Sequence, residues 1–299
     1  MYINHNQMAS NVANTLTSHY SNLATSTQRL SSGLRVNGAA DDAAGLAIRE
    51  LMRSDIAALN QGVRNANDAI SLLQTADGAL GVIDEKLIRM KELAEQAATG
   101  TYDSTQRLMI ESEYQAMASE ITRIANATDF NGIKLLDGSL SGAHKGDGSG
   151  ADDGISSTGQ LKIHFGTMND SAEDYYYIKI DDCRAAALGV GNEADATSAA
   201  YTVSTQEAAQ KALVGIKDAI VSKDKIRANL SALQNRLENT ITNLTTQSEN
   251  LQAAESRISD VDVATEMTQF VRNQILTQSA VAMLSQANSM PQMAMQLIH

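Results

Sequence analysis

Leu230, Leu237, Leu244, Leu251 and Ile258 stand at strict seven-residue intervals, with Leu233 and Ile241 widening the stripe. Leu59, Ala66, Leu73, Leu80, Leu87 and Ala94 repeat the pattern earlier in the chain, joined by Val63, Ile70, Ile83 and Met90. Seven-residue spacing held this long defines a coiled-coil or bundle seam; a stripe facing a globular core drifts out of it sooner. Helices over 43–98 and 205–255 would span roughly 85 and 75 Å at about 1.5 Å per residue. Two seams of matched length are expected to pack along each other.

An amphipathic helix is expected outside each seam. Leu16, Leu23 and Leu30 recur every seven residues with Ala9 and Val12 on the same side, predicting a helix over about 5–32. After a softer SRISDVD patch, Val263, Met267, Phe270, Ile275, Val281 and Leu284 predict a last helix, with the single proline, Pro291, beyond its end. Neither terminal helix has an obvious partner in the central bundle. Each therefore exposes an apolar face that the other, and further copies of the chain, must cover. Between the first two helices, Gly33 and Gly38 flank LRVN, and Asp41 and Asp42 stand where acidic side chains cap the next helix.

The middle of the chain changes character. A third helix is predicted to run to about Ala127, and DFNGIKLLDG (129–138) carries an Asn-Gly turn signal. QLKIHF and YYYIKI alternate like the strands of a hairpin, while 141–159 and 191–200 are small and polar, as in exposed loops. The fold class read from these patterns is mainly α: a long antiparallel coiled-coil or helical-bundle rod with a small β-hairpin region in the middle.

Composition agrees with that reading and excludes others. There is no Trp, three Phe and one Pro among 299 residues, which disfavours a compact enzyme with shaped pockets. A net charge of −12 with no basic cluster argues against nucleic acid as a partner. No run approaches the roughly 18 apolar residues of a membrane span. No Lys or Arg precedes Arg29 and MYINHNQMAS lacks an apolar core, so no secretory signal peptide is read; taken alone, this predicts a cytoplasmic protein unless export uses an uncleaved signal.

No catalytic, cofactor or metal constellation emerges. GLRVNG matches neither phosphate-loop pattern. Asp41, Asp42, Asp147, Asp152 and Asp153 do not follow calcium-loop spacing. His5, His19, His144, His164 and His299 form no HxxxH pair, and no serine sits in a GxSxG elbow. The lone Cys183 reads as a small buried apolar residue beside a strand. The chain is expected not to be an enzyme.

The stretch RLSSGLRVNGAADDAAGLAI (29–48) resembles the N-terminal signature of bacterial flagellins. The similarity continues through GVRNANDAISLLQTADGAL (62–80), DFNGIKLLDG (129–138), LQNRLENTITNL (233–244), SRISDVDVATEM (256–267) and QILTQSAVAMLSQAN (274–288). It implies a structural subunit that self-assembles into the extracellular bacterial flagellar filament for motility, exported unfolded through the flagellar type III apparatus. The hook–filament junction protein, which is hook-associated, is the alternative, and the long match to the C-terminus favours flagellin. Residues 1–44 with 256–299 would form the inner terminal coiled coil, through Leu16, Leu23, Leu30, Val263, Met267, Phe270, Ile275, Val281 and Leu284. Residues 45–255 would form a helical rod that includes a divergent β-hairpin and loop segment, 139–202. Gly33, Gly38, Asp41 and Asp42 would be the joint between the layers, with the glycines supplying positive φ. The implied partners are other flagellin subunits, an export chaperone, the filament cap protein and the junction protein. A Toll-like innate immune receptor is a further implied partner, through Arg89, Leu93, Gln96 and Glu113; here Met90 and Lys91 depart from the usual RVREL. Cysteine is unusual in the family, as is His299 at a final position where relatives commonly carry Arg.

Overall fold

The computed structural model describes residues 6–142, 159–170, 173–191 and 202–298. His5, His144, Asp147, Asp152, Asp153, His299 and most of the two polar loops lie outside the described residues. Among the described residues five helices carry the fold: α1 (Gln7–Ser32), α2 (Ala43–Ala98), α3 (Ser104–Ala127), α4 (Gln206–Ser259) and α5 (Val263–Ile298). Two antiparallel two-stranded ribbons accompany them, β1 (Asp129–Phe130) with β2 (Ile133–Lys134) and β3 (Leu161–His164) with β4 (Tyr175–Ile178). The class is mainly α with a small β region. The contacts divide into two compact units, one of residues 1–56 and 248–299, the other of residues 57–247.

The second unit is a three-helix bundle whose core follows the seven-residue seam. All six seam positions of α2, Leu59 to Ala94, are buried, and Leu230, Leu237 and Leu244 of α4 are buried with them. Ile110, Tyr114, Ala118, Ile121 and Ala125 supply the face of α3. The α4 stripe begins earlier than the leucines reveal, because Ala209, Ala212, Ile216, Ala219 and Ile226 are also buried. Lys223 occupies a core position of this stripe, seven residues from both Ile216 and Leu230. Its ammonium meets Asp84 of α2 at 2.5 Å and Asp224 at 2.7 Å, and one turn on Arg227 meets Asp77 at 2.7 Å.

The ribbons close over the bundle. Asn131 and Gly132 make the β1–β2 turn at φ 51° and 82°, the handedness that matches strand twist. In the second ribbon Leu161 pairs with Ile178 and Ile163 with Tyr176. Its exit presses on α2: a Cβ on Gly62 would lie 2.0 Å from the Phe165 carbonyl oxygen, so only glycine admits the strand there. Asn65 Nδ2 donates to the His164 carbonyl at 2.8 Å, and the Arg236 guanidinium lies 3.9 Å from the Tyr176 ring centre. Cys183 is buried beneath, and burial together with Asp182 and Asp181 pushes its thiol up to about 12.

Two boundaries differ from the sequence reading. Helix α4 runs four residues past 255, to Ser259. Helix α5 continues through Pro291 to Ile298 where the proline was expected beyond the helix end. A proline removes one N–H from the ladder and need not stop a helix if the freed carbonyl finds another donor.

Candidate assembly surface and joint

The unit built from the two chain ends contains most of the residues the sequence singles out. Helices α1 and α5 pack antiparallel, with Asn6 against Ala287 and Arg29 against Glu266. On α1 the seam is Ala9, Val12, Leu16, His19, Leu23, Ser26 and Leu30, partly or wholly covered. Leu16, Leu23 and Leu30 thus lie in the helix pair.

Helix α5 is different. Its seam runs Glu266, Phe270, Asn273, Thr277, Ala280, Leu284 and Ala287, alternating steps of four and three. Of the six α5 residues expected there, only Phe270 and Leu284 belong to it. Val263, Met267, Ile275 and Val281 are 44–57% exposed and take no part in the intrachain seam. Hydrophobicity marks the most apolar residues, whereas heptad spacing sets which side chains face the partner helix. The outward stripe is more apolar than the seam, and Val271, Met283 and Met290 extend it. Such an all-round apolar helix is a helix meant to be covered on more than one side.

The segment expected to be the joint forms a small clasp. Gly33 ends α1 at φ 73°, its N–H donating to the Arg29 carbonyl at 2.9 Å. The next residues pair with the segment entering α5: Arg35 N donates to the Ser259 carbonyl at 2.7 Å and Val261 N to the Gly33 carbonyl at 3.0 Å. Arg35 Nη2 reaches the Ile258 carbonyl at 2.8 Å. The two aspartates divide their work. Asp42 Oδ1 accepts from Gly45 N at 2.9 Å and caps α2, whereas Asp41 Oδ2 accepts from Asn37 N and Gly38 N and closes the turn. Arg49, buried, donates to the Val36 carbonyl at 2.8 Å and ties the turn to α2. At the start of α5 Asp262 accepts from Thr265 Oγ1 at 2.7 Å and from Ala264 N, which hold its carboxyl below the ordinary range.

Gly38 corrects an expectation. It does not adopt positive φ, and a Cβ there would meet nothing within 4 Å. Gly33 alone needs the left-handed region. Gly33→Val is therefore expected to cost about 2 kcal/mol through backbone strain, and Gly38→Ala less than about 0.5 kcal/mol. Thermal unfolding of the two variants, read by circular dichroism, checks the difference.

The residues implied for receptor contact lie in the other unit. Arg89 binds Glu113 at 2.8 Å and Glu92 at 2.9 Å, and all three are exposed. Gln96, exposed, donates to the Tyr102 hydroxyl at 3.0 Å. Leu93 is only 2% exposed and belongs to the bundle core. Its place on the seam between Met90 and Ala97 buries it, so a ligand at this surface meets Arg89, Gln96 and Glu113 without it. Among the described residues no group of three or more His, Cys, Asp or Glu is arranged to hold a metal ion. No described helix is long and apolar enough to cross a membrane.

Comparison with known proteins places these features in a family. The model of the bacterial flagellin N-terminal helical region matches residues 3–141, and that of the C-terminal helical region matches residues 213–298. Flagellin of Bacillus subtilis (strain 168) is 43% identical over the full length of both chains. The flagellar filament 33 kDa core protein of Treponema phagedenis is 39% identical, again over the full length of both. Among solved structures, Bacillus cereus flagellin is 30% identical, with a TM-score of 0.47 over 64% of this chain and 94% of that one.

Proposed function

We propose, from the premise that this chain belongs to the bacterial flagellin family and is a structural subunit of the flagellar filament, that it polymerises chiefly through the outward face of its terminal helix pair. The chain is a structural protein and not an enzyme. The observation that carries the proposal is the stripe Val263, Met267, Val271, Ile275 and Val281, apolar and exposed on a helix that already has an intrachain partner. Neighbouring subunits are the natural cover for such a stripe, since burying each side chain contributes about 1.5–3 kcal/mol.

In this reading residues 1–44 and 256–299 form the inner layer of the filament, and 45–255 form the layer outside it. The clasp around Gly33 and Asp41 is the joint between the layers. The subunit reaches the extracellular filament unfolded, through the flagellar type III apparatus. An export chaperone masks the α5 stripe before export, the cap protein assists folding at the tip, and the hook-associated junction protein receives the first subunits. Arg89, Gln96 and Glu113 are the exposed residues that a Toll-like receptor would meet. The junction-protein alternative gains nothing from the relatives, whose names are flagellin or flagellar filament core protein.

Seeded growth tests the proposal. Full-length chain added to short filament fragments is expected to elongate them, seen by light scattering and electron microscopy. A core lacking 1–44 and 256–299 is expected not to. Elongation by the core, or none by the full chain, would refute it.

A further inference from the structure

Pro291 lies inside α5, so the Ala287 carbonyl has no N–H four residues on to receive. Asn6 supplies the missing donor: its Nδ2 lies 2.8 Å from the Ala287 carbonyl oxygen, across the helix pair. The same side chain turns its Oδ1 to Ala9 N at 3.0 Å and caps α1. One amide thus uses its acceptor to begin one helix and its donor to complete the other.

We propose that Asn6 is the positioning residue that fixes the register of the terminal helix pair, by answering the carbonyl that Pro291 leaves open. Every carbonyl before the last turn of an unbroken helix is already engaged by its own ladder, so a donor shifted by a heptad along α5 finds no equivalent site. The proline marks one carbonyl out of many. At the far end Arg29 and Glu266 approach to 3.7 Å. Asn6 to Arg29 spans 23 residues and Glu266 to Ala287 spans 21. Those are roughly 34 and 32 Å of helix, so both contacts are met in one register. A shift of one heptad breaks both, and the outward stripe of α5 would then be presented at the wrong height to a neighbouring copy. The inference rests on the proposal that assembly proceeds through this pair.

The test separates cap from latch. Serine caps a helix as well as asparagine does, but it is too short to reach the Ala287 carbonyl. In the full chain, Asn6→Ser is expected to raise the critical monomer concentration for seeded growth about fivefold. In a Pro291→Ala background, where residue 291 again donates to Ala287, the same change should raise it less than twofold. An equal effect in both backgrounds, or none in either, would overturn the latch. Wild-type growth on seeds reports on the assembly proposal alone. Should it fail, the latch is still decided by thermal helix loss in circular dichroism. The midpoint should fall with Asn6→Ser only where Pro291 is present, and any other pattern overturns the latch.

Discussion

Ile275→Asp is expected to abolish filament growth while leaving the monomer as helical as before. Ile275 is 57% exposed and touches the solvent side of α5, so a carboxylate there is hydrated in the free chain and costs little. In a covered stripe the same carboxylate forfeits about 2–3 kcal/mol of apolar burial and adds a desolvation cost of similar size. Each 1.4 kcal/mol is a factor of ten, so the critical concentration should rise by more than about a hundredfold. Light scattering on seeds checks the loss, and circular dichroism on the monomer checks that helicity is kept. A variant that grows normally would show that the stripe is not the assembly surface. An equivalent change at Thr277, on the intrachain seam, should instead weaken the helix pair itself.

The second large effect concerns the bundle and is asymmetric. The Lys223 side chain is 2% exposed, whereas its partners Asp84 and Asp224 are 28% and 59% exposed. Removing Lys223 leaves two carboxylates that water can reach. Removing Asp84 leaves a buried ammonium with one exposed partner. Asp84→Leu should therefore lower unfolding free energy by about 3 kcal/mol, the low end for breaking a buried pair. Lys223→Met keeps the packing of the aliphatic stem and should cost less than about 1 kcal/mol. Urea midpoints of the two variants and of the double variant measure this. Equal costs would mean that burial of the ammonium does not set the balance.

Much of the fold was legible because the chain announces it through spacing. Six seam residues of α2, Leu59 to Ala94, are all buried and mark the stretch of that helix that packs in the bundle. Asn131–Gly132 forms the turn its sequence signals, and the alternating strands pair with Leu161 opposite Ile178. What escaped notice was polar. Lys223 is hard to read in the sequence because a charged residue does not look like a core position, although its seven-residue distance from Leu230 marks it as one. Glu266, Thr277 and Ser26 hide on the terminal helices for the same reason, and with them the seam face of α5. The local habit of proline is to end helices, and the donor that compensates Pro291 lies 281 residues away in sequence. No local rule reaches that far. The two glycines of the joint look alike in the sequence, and only backbone geometry separates Gly33, which needs positive φ, from Gly38, which does not.

The buried Cys183 has a practical consequence for anyone wishing to watch this protein at work. Its thiol is sealed in the bundle and burial pushes it up to about 12, so at neutral pH it keeps its proton and does not offer the thiolate that maleimides attack. A second cysteine placed at an exposed position such as Met168 would react alone. The native thiol can stay where it is, and single-site fluorophores can be attached without first stripping the chain of its own sulfur.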